Sequence, residues 1–173
     1  MIRYVTQFLS LFIKRSTFTI AILMLFLTSE PMLVEAGEVA SVPFKVDRET
    51  MSGTGLGEFA PWPDSMILKG SSKHTLSEVF SGEIVIGVYQ TEAIKLAITS
   101  PWPFDEMILV LSGELQLQFT GEDAAKKFVT GDVVIVPKGY TGTWEMLGDY
   151  RELYVIEKQA FLNSQEPGGL LGE

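Results

Sequence analysis

Residues 104–144 read FDEMILVLSGELQLQFTGEDAAKKFVTGDVVIVPKGYTGTW. Two apolar runs in this stretch, from Glu106 to Leu111 and from Asp132 to Pro137, lead into Gly113 and Gly139. Side chains alternate between the two faces of a strand, so Glu106 shares a face with Ile108 and Val110. By the same rule Leu115, Leu117 and Phe119 oppose Gln116 and Gln118, while Gly142, Trp144 and Met146 fall on one side. Gly113 and Gly139 suit tight turns with positive φ. Pro137 ends its run where a missing N–H costs little.

The pattern continues outward on both sides. From Ser65 the chain offers MILK, EVF, EIVIGVYQ, IKLAIT, EMILVL, ELQLQF, KKFV, DVVIVP, TGTWEML and ELYVIE, separated by Gly, Ser, Asp and Pro. Short runs of that kind predict an antiparallel sandwich or barrel. No helix-period run of ten or more residues stands outside the first 36. The all-β domain is assigned to residues 65–160, with residues 37–64 as an extended lead-in and residues 161–173 as a flexible tail. The octet FAPWPDSM at Phe59–Met66 echoes SPWPFDEM at Ser100–Met107. One barrel uses up the strands, so the echo reads as a stiff Pro-Trp-Pro corner used twice, not as a duplicated domain.

A chain of 173 residues suffices for one such domain with a full core. Hydrophobic residues at 46% and charged residues at 20% suit a globular β protein. A net charge of −9 without a basic stripe argues against nucleic acid, and the absence of cysteine excludes disulfides and thiolate metal sites. At the start, Arg3, Lys14 and Arg15 precede the uncharged run FTIAILMLFL, and Val34 and Ala36 form a small-residue exit. This describes a signal peptide over residues 1–36, hence a periplasmic or secreted protein. The run is about half of the ~20 residues a spanning helix needs. The alternatives are an uncleaved anchor, or a cytoplasmic protein whose true start is Met51.

The spacing Glu106-x6-Gly113 followed by Gly131-x5-Pro137-x-Gly139 resembles the two signature motifs of the cupin superfamily. Gly87-Val88-Tyr89, Leu111-Ser112-Gly113-Glu114, Gly142-Thr143-Trp144 and Tyr154-Val155-Ile156, in that order, resemble more particularly the ureidoglycine aminohydrolase-type cupin group. The resemblance implies a single jelly-roll β-barrel (a double-stranded β-helix), commonly paired into a homodimer. Gln90 departs from the acidic residue that the group often carries after the aromatic.

In metal-binding cupins two histidines precede the glutamate and a third follows the second motif. Here those places hold Ser100 and Trp102, or Thr99 and Pro101 with a longer gap, and the third holds Gly142. Trp, Pro and Gly supply no side-chain ligand, so no metal and no cofactor is expected. His74, in SSKHTL, reads as an exposed loop residue.

Pockets are mostly apolar with a few convergent polar groups. On that basis Glu106 is the candidate acid or base, and Tyr89, Trp102, Trp144 and Tyr154 are candidate ligand-binding residues, each of which could equally fill the core. Glu106 has a competing reading as a partner of Lys95 or Arg151 at the barrel mouth. Asp105 falls on the opposite face, so the two neighbours do not form a catalytic pair. The expected function is binding of a small polar or carbohydrate-like molecule without a metal. The alternatives are an aminohydrolase- or isomerase-like enzyme working through Glu106, and a purely structural dimeric barrel.

Overall fold

The structure is a computed structural model, and it describes residues 42–170. The expected signal segment, residues 1–36, lies outside the described residues. The chain enters through a short helix, α1 (Arg48–Met51), whose first turn is capped by Asp47 accepting the Thr50 N–H at 2.7 Å. Strand β1 (Gly57–Glu58) and one turn of 3₁₀ helix (Asp64–Met66) follow. Next come β2 (Ile67–Gly70), β3 (His74–Ser81), β4 (Ile84–Thr91) and β5 (Ile94–Ile98). The chain then runs through β6 (Glu106–Phe119), β7 (Lys126–Val129), β8 (Val133–Val136), β9 (Gly142–Glu157) and α2 (Lys158–Gln165).

All pairings are antiparallel. The two long strands, β6 and β9, pair with each other along most of their lengths and belong to both layers of a sandwich. One layer runs β1-β3-β4-β9-β6-β8 and uses the start of β6 and the end of β9. The other runs β2-β5-β9-β6-β7 and uses the opposite halves. Inward residues of both layers, among them Val85, Tyr89, Leu96, Ile108, Leu115, Trp144 and Ile156, form one core. Among the described residues β1, β2, β7 and β8 each have one strand neighbour, so the sheet does not close into a barrel.

Gly113 does not end a strand as its sequence context suggests. Strand β6 passes through it with φ +74° and register shifts on both sides, between Val110 and Ser112 and between Ser112 and Glu114. A Cβ there would lie 2.6 Å from the Leu147 carbonyl oxygen and 2.8 Å from the Tyr150 Cα, so only glycine fits this bulge. The bulge bends β6 from one layer into the other.

Two further differences concern the ends. The expected tail contains most of α2, whose first turn is capped by the Glu157 carboxylate accepting the N–H groups of Gln159 (2.9 Å) and Ala160 (2.7 Å). Phe161 of this helix packs onto the core. The lead-in is stitched to the sheet, with Gly57 opposite Leu76 and Glu58 opposite Thr75. Among the described residues no helix is long and apolar enough to cross a membrane.

Candidate functional site

The space between the two layers is a narrow cavity of about 70 Å³. That is room for a few waters or a compact ligand, below the roughly 300 Å³ of common small-molecule sites. Strand alternation builds its walls. Strand β6 contributes Glu106, β9 contributes Trp144, Met146, Glu152, Tyr154 and Ile156, and β4 and β5 add Tyr89, Leu96 and Ile98. The four ligand-binding candidates and Glu106 thus all line one cavity.

The two Pro-Trp-Pro corners meet at this cavity. Trp62 and Trp102 have ring centroids 6.4 Å apart, and Trp102 continues to Trp144 at 5.1 Å and to Phe104 at 5.4 Å. Proline on either side restricts each corner's backbone. Trp102 is further held by its N–H to the Tyr140 carbonyl (2.9 Å) and by the Gly139 N–H to its own carbonyl (2.8 Å). Trp62 belongs to the lead-in, and its indole N–H donates to the Tyr89 hydroxyl at 3.0 Å. Part of the segment expected to lie outside the domain is therefore a wall of the cavity.

Glu106 is 7% exposed and accepts the Trp102 indole N–H at 3.0 Å. Neither expected cation reaches it: Lys95 pairs with Glu145 at 2.9 Å, and Arg151 donates to Gln90 at 3.1 Å. Burial pushes the Glu106 carboxyl well above the ordinary range, the nearby charge of Glu152 pushes it further, and the Trp102 bond opposes both. Asp105 is exposed and accepts the Lys138 N–H at 2.8 Å, outside the cavity as expected.

Glu152 is the functional group that sequence reasoning missed. It is 5% exposed, lies opposite Tyr89 in the β4–β9 register, and accepts a hydrogen bond from the Tyr150 hydroxyl. Burial raises its carboxyl to about 7, with the Tyr150 bond acting against the shift. The signal was present: alternation from Tyr154 puts Glu152 on the same face. Two like charges in one buried space cannot both ionise cheaply, so the protons of the pair leave in two steps that belong to both groups.

Tyr154 lies across Gly87, its partner in β4, where a Cβ would come 2.3 Å from the phenol oxygen. The Tyr154 hydroxyl is buried and has no hydrogen-bond partner among the described residues. His74 is not an exposed loop residue. It opens β3, is 8% exposed, and packs among Phe59, Trp62 and Tyr89. Its Nε2 lies 2.6 Å from the Ala60 carbonyl, and burial lowers its pKa, with the Ala60 bond acting against the shift.

The places that hold the histidines of metal-binding cupins carry no imidazole here. Ser100 is exposed, Trp102 presents a donor, and Gly142 cannot carry a side chain because a Cβ would fall 2.0 Å from the Gln118 carbonyl oxygen. Among the described residues no three His, Asp or Glu side chains are grouped to hold an ion.

A two-layer jelly roll is a fold that cupins share with other β proteins. Residues 78–154 match the family model of the EutQ-like cupin domain, which supports a cupin fold for this domain. The ethanolamine utilization protein Q of Salmonella typhimurium is 23% identical over 60% of this chain and 78% of its own, with a TM-score of 0.46. A protein of unknown function from Pseudomonas syringae is 21% identical, with a TM-score of 0.53 over 58% of this chain. This chain covers 43% of that protein's length. A cupin superfamily protein from Desulfitobacterium hafniense is 16% identical over 69% of this chain and 97% of its own, with a TM-score of 0.46. At 21% identity the likeness to the Pseudomonas syringae protein concerns the fold alone. No curated protein sequence matches.

Proposed function

We propose that this cupin domain binds a compact polar molecule in the cavity, without a metal, through Glu106 and Glu152. The observation that carries this reading is a pair of buried carboxyls facing an otherwise apolar, aromatic space with no cationic side chain in its lining among the described residues. Burying such groups is unfavourable unless something compensates. The narrowness of the cavity favours a small ligand over a carbohydrate-sized one. In a thermal-shift screen of the full chain against polar metabolites, at least one compound is expected to raise the melting temperature, and Glu106→Gln is expected to abolish that rise. Stabilisation by no compound would count against a binding site.

The same pair supports a second reading, an enzyme of aminohydrolase or isomerase type. Burial raises both pKa values and the charge of Glu152 raises that of Glu106 further, which suits one carboxyl to donate a proton and its neighbour to accept one. Undiminished turnover by Glu106→Gln on any substrate found would exclude that mechanism.

Pairing of two copies belongs to this proposal as well. Val133 (62% exposed) and Ile135 (63% exposed) project from β8, an edge strand whose outer row continues into Leu109 and Met107 of β6. Apolar edges of this kind invite strand or face pairing.

A further inference from the structure

The polar groups of the cavity divide unevenly between donors and acceptors. The indole N–H groups of Trp62 and Trp102 are committed at 3.0 Å to Tyr89 and Glu106. What remains is mostly oxygen: the carboxyl groups of Glu106 and Glu152 and the Tyr154 hydroxyl, which has no partner among the described residues, against one further indole N–H, that of Trp144. An anionic ligand would meet two acidic groups and, among the described residues, no Lys or Arg in the lining. A sugar brings as many acceptors as donors and exceeds about 70 Å³ of room. The walls are aromatic, with Trp62, Trp102 and Trp144 in sequence, and the faces of such rings attract cations.

We propose that the ligand is a small primary alkylammonium ion, its –NH3⁺ group held by Glu106, Glu152 and the Tyr154 hydroxyl and its alkyl body against Trp102 and Trp144. This rests on the reading of the cavity as a binding site. An ammonium group offers three donors and no acceptor, and each of these three oxygen-bearing groups can accept one of them once a carboxyl has given up its proton. The titratable groups facing Glu106 are Glu152 and Tyr154 from β9 and Tyr89 from β4, with Tyr150 bonded to Glu152. None is a cation, and His74 stands beyond Tyr89 with ring centroids 5.3 Å apart. In the empty cavity burial favours protonated carboxyls. A bound ammonium restores the ionised form, so the carboxyl O–H breaks, its proton leaves to solvent, and the ligand keeps its own three protons.

The test titrates the full chain at pH 6 with propylammonium chloride, 1-propanol, sodium propionate and glucose in 150 mM NaCl. All three tryptophans of the chain line this cavity, so their fluorescence reports occupancy. Calorimetry in two buffers of different ionisation enthalpy counts released protons. Propylammonium is expected to saturate the fluorescence change and release up to one proton, while the other three compounds leave both signals flat. Glu106→Gln and Glu152→Gln are each expected to weaken it about tenfold or more, and Tyr154→Phe less. Should a Gln variant lose its fold by circular dichroism, Tyr154→Phe and the proton count on the wild type decide. Propanol or glucose binding as tightly as propylammonium would overturn the ammonium assignment and leave the binding site standing. Equal propylammonium binding by all variants would place the cation elsewhere on the acidic surface and also overturn it. No response to any probe would overturn it too, while the metabolite screen judges the site independently.

Discussion

Glu152 ties the chemistry of the cavity to the stability of the fold. In the unfolded chain its carboxyl titrates near 4.5, and in the folded chain near 7. Below the lower value both states hold the proton and burial carries little electrostatic penalty. As pH rises from about 4.5 through about 7, the unfolded state loses its proton first, the native state binds more protons, and stability falls. Glu106, shifted in the same direction, adds to the fall. The urea midpoint is therefore expected to be higher at pH 5 than at pH 8. Glu152→Gln, which keeps an acceptor for the Tyr150 hydroxyl, is expected to flatten that slope and to raise stability at pH 8 by at most about 3 kcal/mol. An unchanged slope in the variant would show that Glu152 ionises in the folded state as easily as in water. Residue-scale reasoning from sequence reaches Glu106 because it stands in a recognisable motif. It reaches Glu152 only by carrying the alternation two places back from Tyr154. It does not reach Trp62, whose contact with Trp102 joins positions far apart in the chain.

At the scale of elements, glycine decides where β6 and β9 can run together. Gly142 opens β9 opposite Phe119, with φ +147° and no room for a Cβ beside the Gln118 carbonyl. Gly121 has φ +92° but nothing within 4 Å of its would-be Cβ. The two positions separate backbone strain from collision. Gly121→Ala is expected to cost about 1 kcal/mol from strain alone, and Gly142→Ala about 2 kcal/mol more through the forced shift of β6. Thermal unfolding of the two variants side by side measures the difference, and equal losses would refute the collision. For the same reason Gly142→His would disrupt the β6–β9 pairing before it could supply a metal ligand. The strands themselves were legible because period-two alternation is a local signal. Their continuity was not: Gly113 looks like a terminator in one dimension, and only its paired strand shows it to be a bulge. Helix α2 was hidden because it is eight residues long and is capped by a glutamate rather than by Ser, Thr, Asp or Asn.

At the scale of the molecule, β6 and β9 form a spine. Each is flanked on both sides, β6 by β9 and by β7 or β8, and β9 by β6 and by β4 or β5. Their inward residues include Ile108, Val110, Leu115, Met146 and Tyr150, which are among the most deeply buried of the chain. Opening either strand exposes both layers at once, so their amides can exchange with solvent only when the whole domain unfolds. The edge strands β7 and β8 are held on one side, and Val129, Val133 and Ile135 on them are exposed. In dilute solution hydrogen exchange is therefore expected to be slowest in β6 and β9 and clearly faster in β7 and β8. Protection of β8 equal to that of β6 at all concentrations would contradict the open-edged sheet. Protection that grows in β8 with concentration, and disappears in Ile135→Lys while β6 stays protected, would instead mark that edge as the place where two copies meet. A monomer by light scattering at high concentration would remove that pairing.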